Sequence, residues 1–161
     1  QDLELDAFVL YGSIAGLWGS GGQSPYSAAN AALTGLAQHR MGLGLPATTL
    51  HWGPWAGDGM AGEGGAEHLR KRGLTPLKPT TGMDAFEEGI RSGRAELGVV
   101  DVDWATFTRV FAFSKASPLC VEICGHLTSL RGIYMILQTL TPIERNARAP
   151  LNVQSTKENQ T

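Results

Sequence analysis

Leu5-Asp-Ala-Phe-Val-Leu-Tyr11-Gly-Ser13-Ile-Ala-Gly-Leu-Trp18-Gly-Ser-Gly-Gly-Gln23-Ser-Pro25-Tyr26-Ser-Ala-Ala-Asn30 is the stretch that decides how the rest is read. Its start, Leu5 to Tyr11, is a short apolar run rich in β-formers and stopped by glycine, which predicts a buried strand. From Pro25 to Met41, the residues Tyr26, Ala29, Leu33, Leu36, Ala37 and Met41 recur at helical spacing and form one stripe. Pro25 suits a first helical turn, and Gly42 and Gly44 suit its end. Ala47 to Trp52 then reads as a second strand, halted by Gly53-Pro54. Strand, helix, strand in so short a span is a βαβ unit, so the fold class is α/β with a parallel sheet.

Further along, the glycine-rich segment Gly53 to Gly65 leads into the charged stretch Ala66 to Arg72. A flexible entry into a short polar helix has the shape of an active-site lid, or else of a plain solvent-exposed loop and helix. Thr81 to Ser92 predicts a helix with apolar positions Met83, Phe86 and Ile90, and Thr80 or Thr81 is placed to cap it. Leu97 to Val102 predicts a third strand. After about Ser114 the pattern breaks down. The apolar patches from Leu119 to Ile143 are interrupted by Glu122, His126 and Arg131, too broken for a membrane span, and the polar end beyond Pro142 reads as disordered.

Of the 161 residues, 42% are hydrophobic and 17% charged, the balance of a folded globular domain large enough for a continuous core. Thirteen basic and 15 acidic residues give a net charge of −2, so no broad basic field is expected to hold nucleic acid or an anionic membrane. The two cysteines, Cys120 and Cys124, are too few and too close for a secreted disulfide scaffold and predict a reduced, cytoplasmic protein. Cys120, Cys124 and His126 offer three soft ligands, but no fourth follows at finger-like spacing and the flanks are apolar. They read as buried helical thiols, with no metal site. The N-terminal Gln1-Asp-Leu-Glu-Leu-Asp6 starts almost directly in a strand pattern and reads as a cut through a larger polypeptide, without a signal peptide.

Reducing a ketone requires hydride delivery to carbon and a proton for the oxygen, with donors aimed where negative charge develops. Ser13, at the end of the first strand, is placed to hydrogen-bond a carbonyl oxygen, and the Tyr26 hydroxyl to supply the proton. Asn30, four residues on, shares the helix face of Tyr26 and can orient a lysine or a water in a proton relay. His51, after the second strand, reads as facing a polar surface or a satisfied core site. Gly57-Asp-Gly-Met-Ala-Gly62 satisfies G-x-G-x-x-G, but the fingerprint belongs directly after the first strand of a βαβ unit, with an acidic residue about twenty positions on. Here Trp52-Gly-Pro-Trp55 intervenes, and Pro79, Thr80 and Thr81 stand where the acid should be. We read it as no phosphate loop.

The ordered series of Leu5 to Gln23, then Tyr26-Ser-Ala-Ala-Asn30-Ala, Gly44-Leu-Pro-Ala-Thr48 and Trp52-Gly-Pro-Trp-Ala-Gly-Asp-Gly-Met-Ala61 closely resembles ketoreductase domains of modular type I polyketide synthases, members of the short-chain dehydrogenase/reductase superfamily. The resemblance runs from about residue 3 to residue 113. It implies the C-terminal part of a Rossmann-like parallel sheet flanked by helices, with residues 1–113 the catalytic portion of a ketoreductase and 114–161 a linker or atypical extension. It also implies NADPH-dependent reduction of a β-ketoacyl thioester on an acyl carrier protein to the β-hydroxyacyl thioester, inside a multifunctional antibiotic-producing synthase whose other domains are partners.

By the same resemblance the catalytic residues are Ser13, Tyr26 and Asn30, with Asn30 in the place of the superfamily's usual lysine. Trp18 matches the tryptophan of A-type stereochemistry, or is a packing aromatic. Gln23 stands where a histidine would mark the epimerising A2 class, so A1 is implied, and Ala28 is not the proline of one B subclass. Tyr26, Gly53, Pro54 and Trp55 fall beside the nicotinamide, and Met60 opens the lid over the substrate; Trp55 and Met60 serve equally well as packing residues. The family's nucleotide turn and catalytic lysine lie upstream of Ser13 and find no match in these residues, which implies that the 161 residues alone are inactive. The alternative is a non-catalytic half-domain that docks a partner.

Overall fold

The computed structural model describes residues 3–57, 65–112 and 133–137. Strand β1 (Val9–Ser13) runs into a single helical turn, α1 (Ala15–Trp18), and the long helix α2 (Ser24–Gly42). There follow β2 (Thr48–Trp52), α3 (Gly65–Lys71), β3 (Leu74–Thr75), α4 (Pro79–Arg91), β4 (Glu96–Val102), α5 (Trp104–Ala112) and β5 (Ile133–Leu137). The sheet order is β1-β2-β4-β3, with β5 also paired to β4. The pairs β1/β2 and β2/β4 are parallel, whereas β3 and β5 run antiparallel to β4. The α/β reading therefore holds, and helix α2 joins two adjacent parallel strands as a βαβ unit requires.

Strand β2 is buried along its whole length, because it has a hydrogen-bonded neighbour on both sides and helices on both faces. Its alternating side chains sort the core into two layers. On one face Leu50 and Trp52 join Leu77, Leu97 and Val99, with Ala85 and Phe86 of α4 packed against them. On the other face, Val100 and Val102 of β4 join Ile14, Leu74, Trp104 and Phe107, and Leu17, Trp18, Leu69 and Phe111 extend this cluster. Thr49 and His51 of β2 alternate with Leu50 and Trp52, and their hydrogen bonds run to Leu33 and Thr34 of α2.

Three sequence expectations need correction. The first strand begins at Val9, not Leu5, and is half-buried, with Tyr11 62% exposed. Its ladder starts only where Val9 meets Thr48 of β2, and among the described residues β1 pairs on one side only. The apolar stripe of α2 is not its buried face. Asn30, Thr34 and Ala37 are buried, while Tyr26, Leu36 and Met41 are exposed. Helix α4 starts at Pro79 with Lys78 as an extended N-cap that makes no side-chain capping bond, so neither Thr80 nor Thr81 is the cap. The steric demand of Pro79 on the residue before it drives Lys78 out of the helical region and fixes the boundary there. Strand β5 lies within the segment 114–161 that the sequence assigns to a linker or extension.

The polar helix expected at Ala66 to Arg72 is α3, none of whose residues is buried. Cys120, Cys124, His126, Met60 and the polar C-terminal end lie outside the described residues. Among the described residues, no helix is long and apolar enough to cross a membrane, and no cluster of three or more His, Cys, Asp or Glu could hold a metal ion.

Candidate active site at the carboxyl ends of the parallel strands

Ser13 is the last residue of β1 and pairs in register with Trp52, the last of β2. Ligands of open α/β sheets bind beyond the carboxyl ends of the strands, because there the loops diverge and leave a crevice. Ser13 and the Gly53-Pro54-Trp55 segment both emerge at that end. The hollows lined by Asp6, Phe8, Leu45 and Pro46 sit instead at the amino end, beside Val9 and Thr48, away from the hydroxyl groups.

A single side chain brings the three sequence-predicted residues together. Asn30, on the buried face of α2, accepts the Ser13 backbone N–H at Oδ1 (2.7 Å) and donates from Nδ2 to the Tyr26 carbonyl (2.8 Å). The amide orientation follows from its partners, since an N–H can only donate and a carbonyl only accept. Ser13 Oγ accepts the Ala15 N–H at 3.2 Å, which holds the hydroxyl at the turn into α1. Tyr26 lies in the first turn of α2 and is 41% exposed, so its ring is open to an incoming molecule. Asn30 itself is only 8% exposed, with one oxygen lone pair and one N–H beyond the two bonds described.

The remaining sequence candidates are placed as follows. Gln23 is the N-cap position of α2, and its Oε1 accepts the Ser20 hydroxyl at 2.7 Å. Trp18 packs against α5, its ring centroid 4.9 Å from Phe107 and 6.5 Å from Phe111. Gly53 donates its N–H to Val99 and is buried against Val100, where a Cβ would come within 2.9 Å of the valine. The Pro54 carbonyl accepts the Leu77 N–H at 2.7 Å. Trp55 packs on Trp52 at 4.8 Å and covers Gly82 of α4, where a Cβ would lie 2.1 Å from the indole.

Spacing alone did not reveal a second polar cluster behind Ser13. His51 is fully buried, with Nδ1 2.9 Å from the Ser13 carbonyl oxygen and Nε2 2.8 Å from Thr34 Oγ1. Thr34 also donates to Glu96 Oε1 at 2.5 Å, and that oxygen lies 3.1 Å from His51 Nε2. His51 thus occupies a satisfied core site. The one sequence signal for its partners was Thr34, four residues after Asn30 and therefore on the same helix face.

A mainly parallel sheet flanked by helices, with a serine at a strand end and a tyrosine and an asparagine on the helix that follows, matches the Rossmann-like fold of solved ketoreductases. Residues 1–57 match the family model described as the KR domain. Polyketide synthase GfsA of Streptomyces halstedii is 46% identical over 123 residues, which cover 74% of this chain and 2% of that protein. PlmKR1, the ketoreductase from the first module of phoslactomycin biosynthesis in Streptomyces sp. HK803, is 48% identical with a TM-score of 0.68, over 72% of this chain and 28% of that one. A structure described as an A1-type ketoreductase is 36% identical with a TM-score of 0.70, over 77% of this chain and 27% of its own. Residues 1–57 thus carry part of a ketoreductase domain of the modular polyketide synthase kind, and the chain, similar to such ketoreductases over about three quarters of its length, spans about a quarter of the length of the ketoreductase structures it matches.

Proposed function

We propose that this chain supplies the proton-donating part of an NADPH-dependent ketoreductase that converts a β-ketoacyl thioester, borne on an acyl carrier protein, to the β-hydroxyacyl thioester. The observation that carries the proposal is the Asn30 side chain. By bonding the Ser13 N–H and the Tyr26 carbonyl at 2.7 and 2.8 Å, it fixes two hydroxyl-bearing residues, 13 positions apart, at the carboxyl end of the sheet.

The residues fit the reacting end of a nicotinamide and not its phosphates. Ser13, Tyr26 and the segment Gly53-Pro54-Trp55 cluster at the strand ends. Gly53, by contrast, points inward onto Val100 and offers no cradle to an anion. When bound, the cofactor supplies hydride to the substrate carbon. Ser13 Oγ then steadies the carbonyl oxygen, and the hydroxyl of the partly exposed Tyr26 delivers its proton there. The unused N–H and lone pair of Asn30 orient the water or lysine that reloads Tyr26. Trp18 and Gln23, flanking the glycine-rich crossing, and Met60 guide the substrate toward A1-type stereochemistry. Residues 1–113 act as the catalytic portion, and the other synthase domains are the partners.

Two constructions test the reading. The 161 residues alone, given NADPH and a β-ketoacyl thioester mimic, are expected to show negligible turnover. Joined to an upstream dinucleotide-binding portion of the same synthase they should oxidise NADPH, and Tyr26→Phe should lower kcat by about 10²- to 10⁴-fold, the usual contribution of a positioned general acid. Chiral analysis of the product checks the A1 assignment. A second reading, a non-catalytic half-domain, draws on the exposed Tyr11, Leu36 and Met41, which offer apolar surface to a partner. Activity indifferent to Tyr26→Phe would favour it.

A further inference from the structure

The reaction outlined above makes no use of His51, yet the fold is built closely around this ring. His51 pairs in register with Gly12 of β1. A Cβ on Gly12 would sit 2.7 Å from Nδ1, and one on Gly16 of α1 would sit 2.9 Å from Cε1. Two glycines therefore let backbone approach the imidazole where any side chain would displace it. The Ser13 carbonyl, 2.9 Å from Nδ1, can only accept, so Nδ1 carries a hydrogen and donates it. With that hydrogen fixed on Nδ1, Nε2 faces Thr34 Oγ1 at 2.8 Å and Glu96 Oε1 at 3.1 Å, and the single Thr34 hydroxyl hydrogen serves only one of its two neighbours at a time.

We infer that His51 is a positioning residue for Ser13, and so for the serine's proposed contact with the substrate carbonyl. The inference rests on the role proposed above for Ser13. Ser13 is gripped from both sides of its backbone, with its N–H on Asn30 and its C=O on His51. Asn30 and Thr34 lie one turn apart on the buried face of α2, so the helix that carries Tyr26 is tied to the end of β1 twice. One tie is direct, and the other runs through the imidazole. Glu96, at the start of β4, closes the frame by holding Thr34. Losing the imidazole tie leaves Ser13 attached to α2 by Asn30 alone and its peptide held at the carbonyl side only by the Ile14 N–H bond to the Trp52 carbonyl at 2.9 Å, so that Oγ can shift relative to Tyr26. A misplacement of about 1 Å at a reacting group costs on the order of a hundredfold in rate.

The first measurement needs no variant. Nitrogen-15 NMR of the imidazole in the 161-residue chain should report a hydrogen on Nδ1 that exchanges slowly with water; a bare Nδ1 would overturn the assignment whether or not the protein is a reductase. The second compares His51→Asn, whose amide N–H falls near the Nδ1 position, with His51→Gln, whose amide reaches the Nε2 position. In the chain joined to its upstream dinucleotide-binding portion, His51→Gln should lower kcat by about ten- to a hundredfold with KM within about twofold, while His51→Asn keeps kcat within about threefold. Equal losses in the two variants, in step with equal losses of Tm, would mean that the ring only fills space and would sink the inference. If the wild-type joined protein reduces nothing, the proposed function fails on its own. The positioning of Ser13 is then judged by its backbone amide resonance and exchange rate, which should change in His51→Gln and persist in His51→Asn; the same change in both would overturn it.

Discussion

One layer of this sheet is fastened in two different ways along its width. Beside β1 and β2, helix α2 is held by aimed polar atoms. Asn30 reaches Ser13, Thr34 reaches His51 and Glu96, and the Thr49 hydroxyl donates to the Leu33 carbonyl at 3.1 Å. Beside β4, helix α5 is held by area. Trp104 and Phe107 are 2% and 1% exposed, Phe107 and Phe111 stack at 4.2 Å, and Trp18 covers them from α1. Apolar burial is strong and indifferent to angle, whereas hydrogen bonds add little net energy and fix position to tenths of an ångström. The candidate catalytic residues stand on the side built for position.

That contrast can be broken by ranking substitutions in urea unfolding of the chain. Phe107→Ala should have the largest effect, a loss of about 3–5 kcal/mol, because it removes the aromatic at the centre of the cluster and leaves a cavity. Thr34→Val keeps the shape but deprives Glu96 and His51 of the hydroxyl between them, and should cost about 1–3 kcal/mol. Thr49→Val loses one bond to a helical carbonyl and should cost about 0.5–1.5 kcal/mol. Lys71→Ala, which removes the Glu67 ion pair on α3, should cost under about 0.5 kcal/mol, since both side chains are 72% exposed. Were Thr34→Val as damaging as Phe107→Ala, the polar side would be supplying energy as well as position, and the distinction would fall.

The βαβ core was legible because its punctuation is local. Pro25, Gly42, Gly44 and Gly53-Pro54 mark ends wherever the chain goes afterwards, and β2, α2 and β4 fall close to where the sequence puts them. The spacing of Ser13, Tyr26 and Asn30 was legible for a similar reason, since one strand end and one helix turn carry all three. The buried face of α2 was not. Apolar periodicity points to Leu36 and Met41, but packing is decided by Gly12 and Gly16, which bring the backbone close to His51 and leave room on the helix for Asn30, Thr34 and Ala37. The His51 frame was hidden because its members come from four elements, with Thr34 and Glu96 62 residues apart. The two-residue β3 is too short for a signature and depends on β4 as its template, whereas β5, Ile133-Tyr-Met-Ile-Leu137, is an apolar β-forming run inside a segment whose wider pattern is broken by Glu122, His126 and Arg131.

The indole of Trp55 seated on Gly82 works as a detent between two parts that are otherwise joined by a long stretch of chain. It is backed by Trp52, and the bridge from Trp55 to Leu77 sits beside it, so α4 docks on the loop after β2 at a point fixed before residue 58. The place where α4 meets the loop after β2 is thereby set by residues outside the stretch between Gly57 and Gly65. That junction consists of one large ring lodged in the space of one missing side chain.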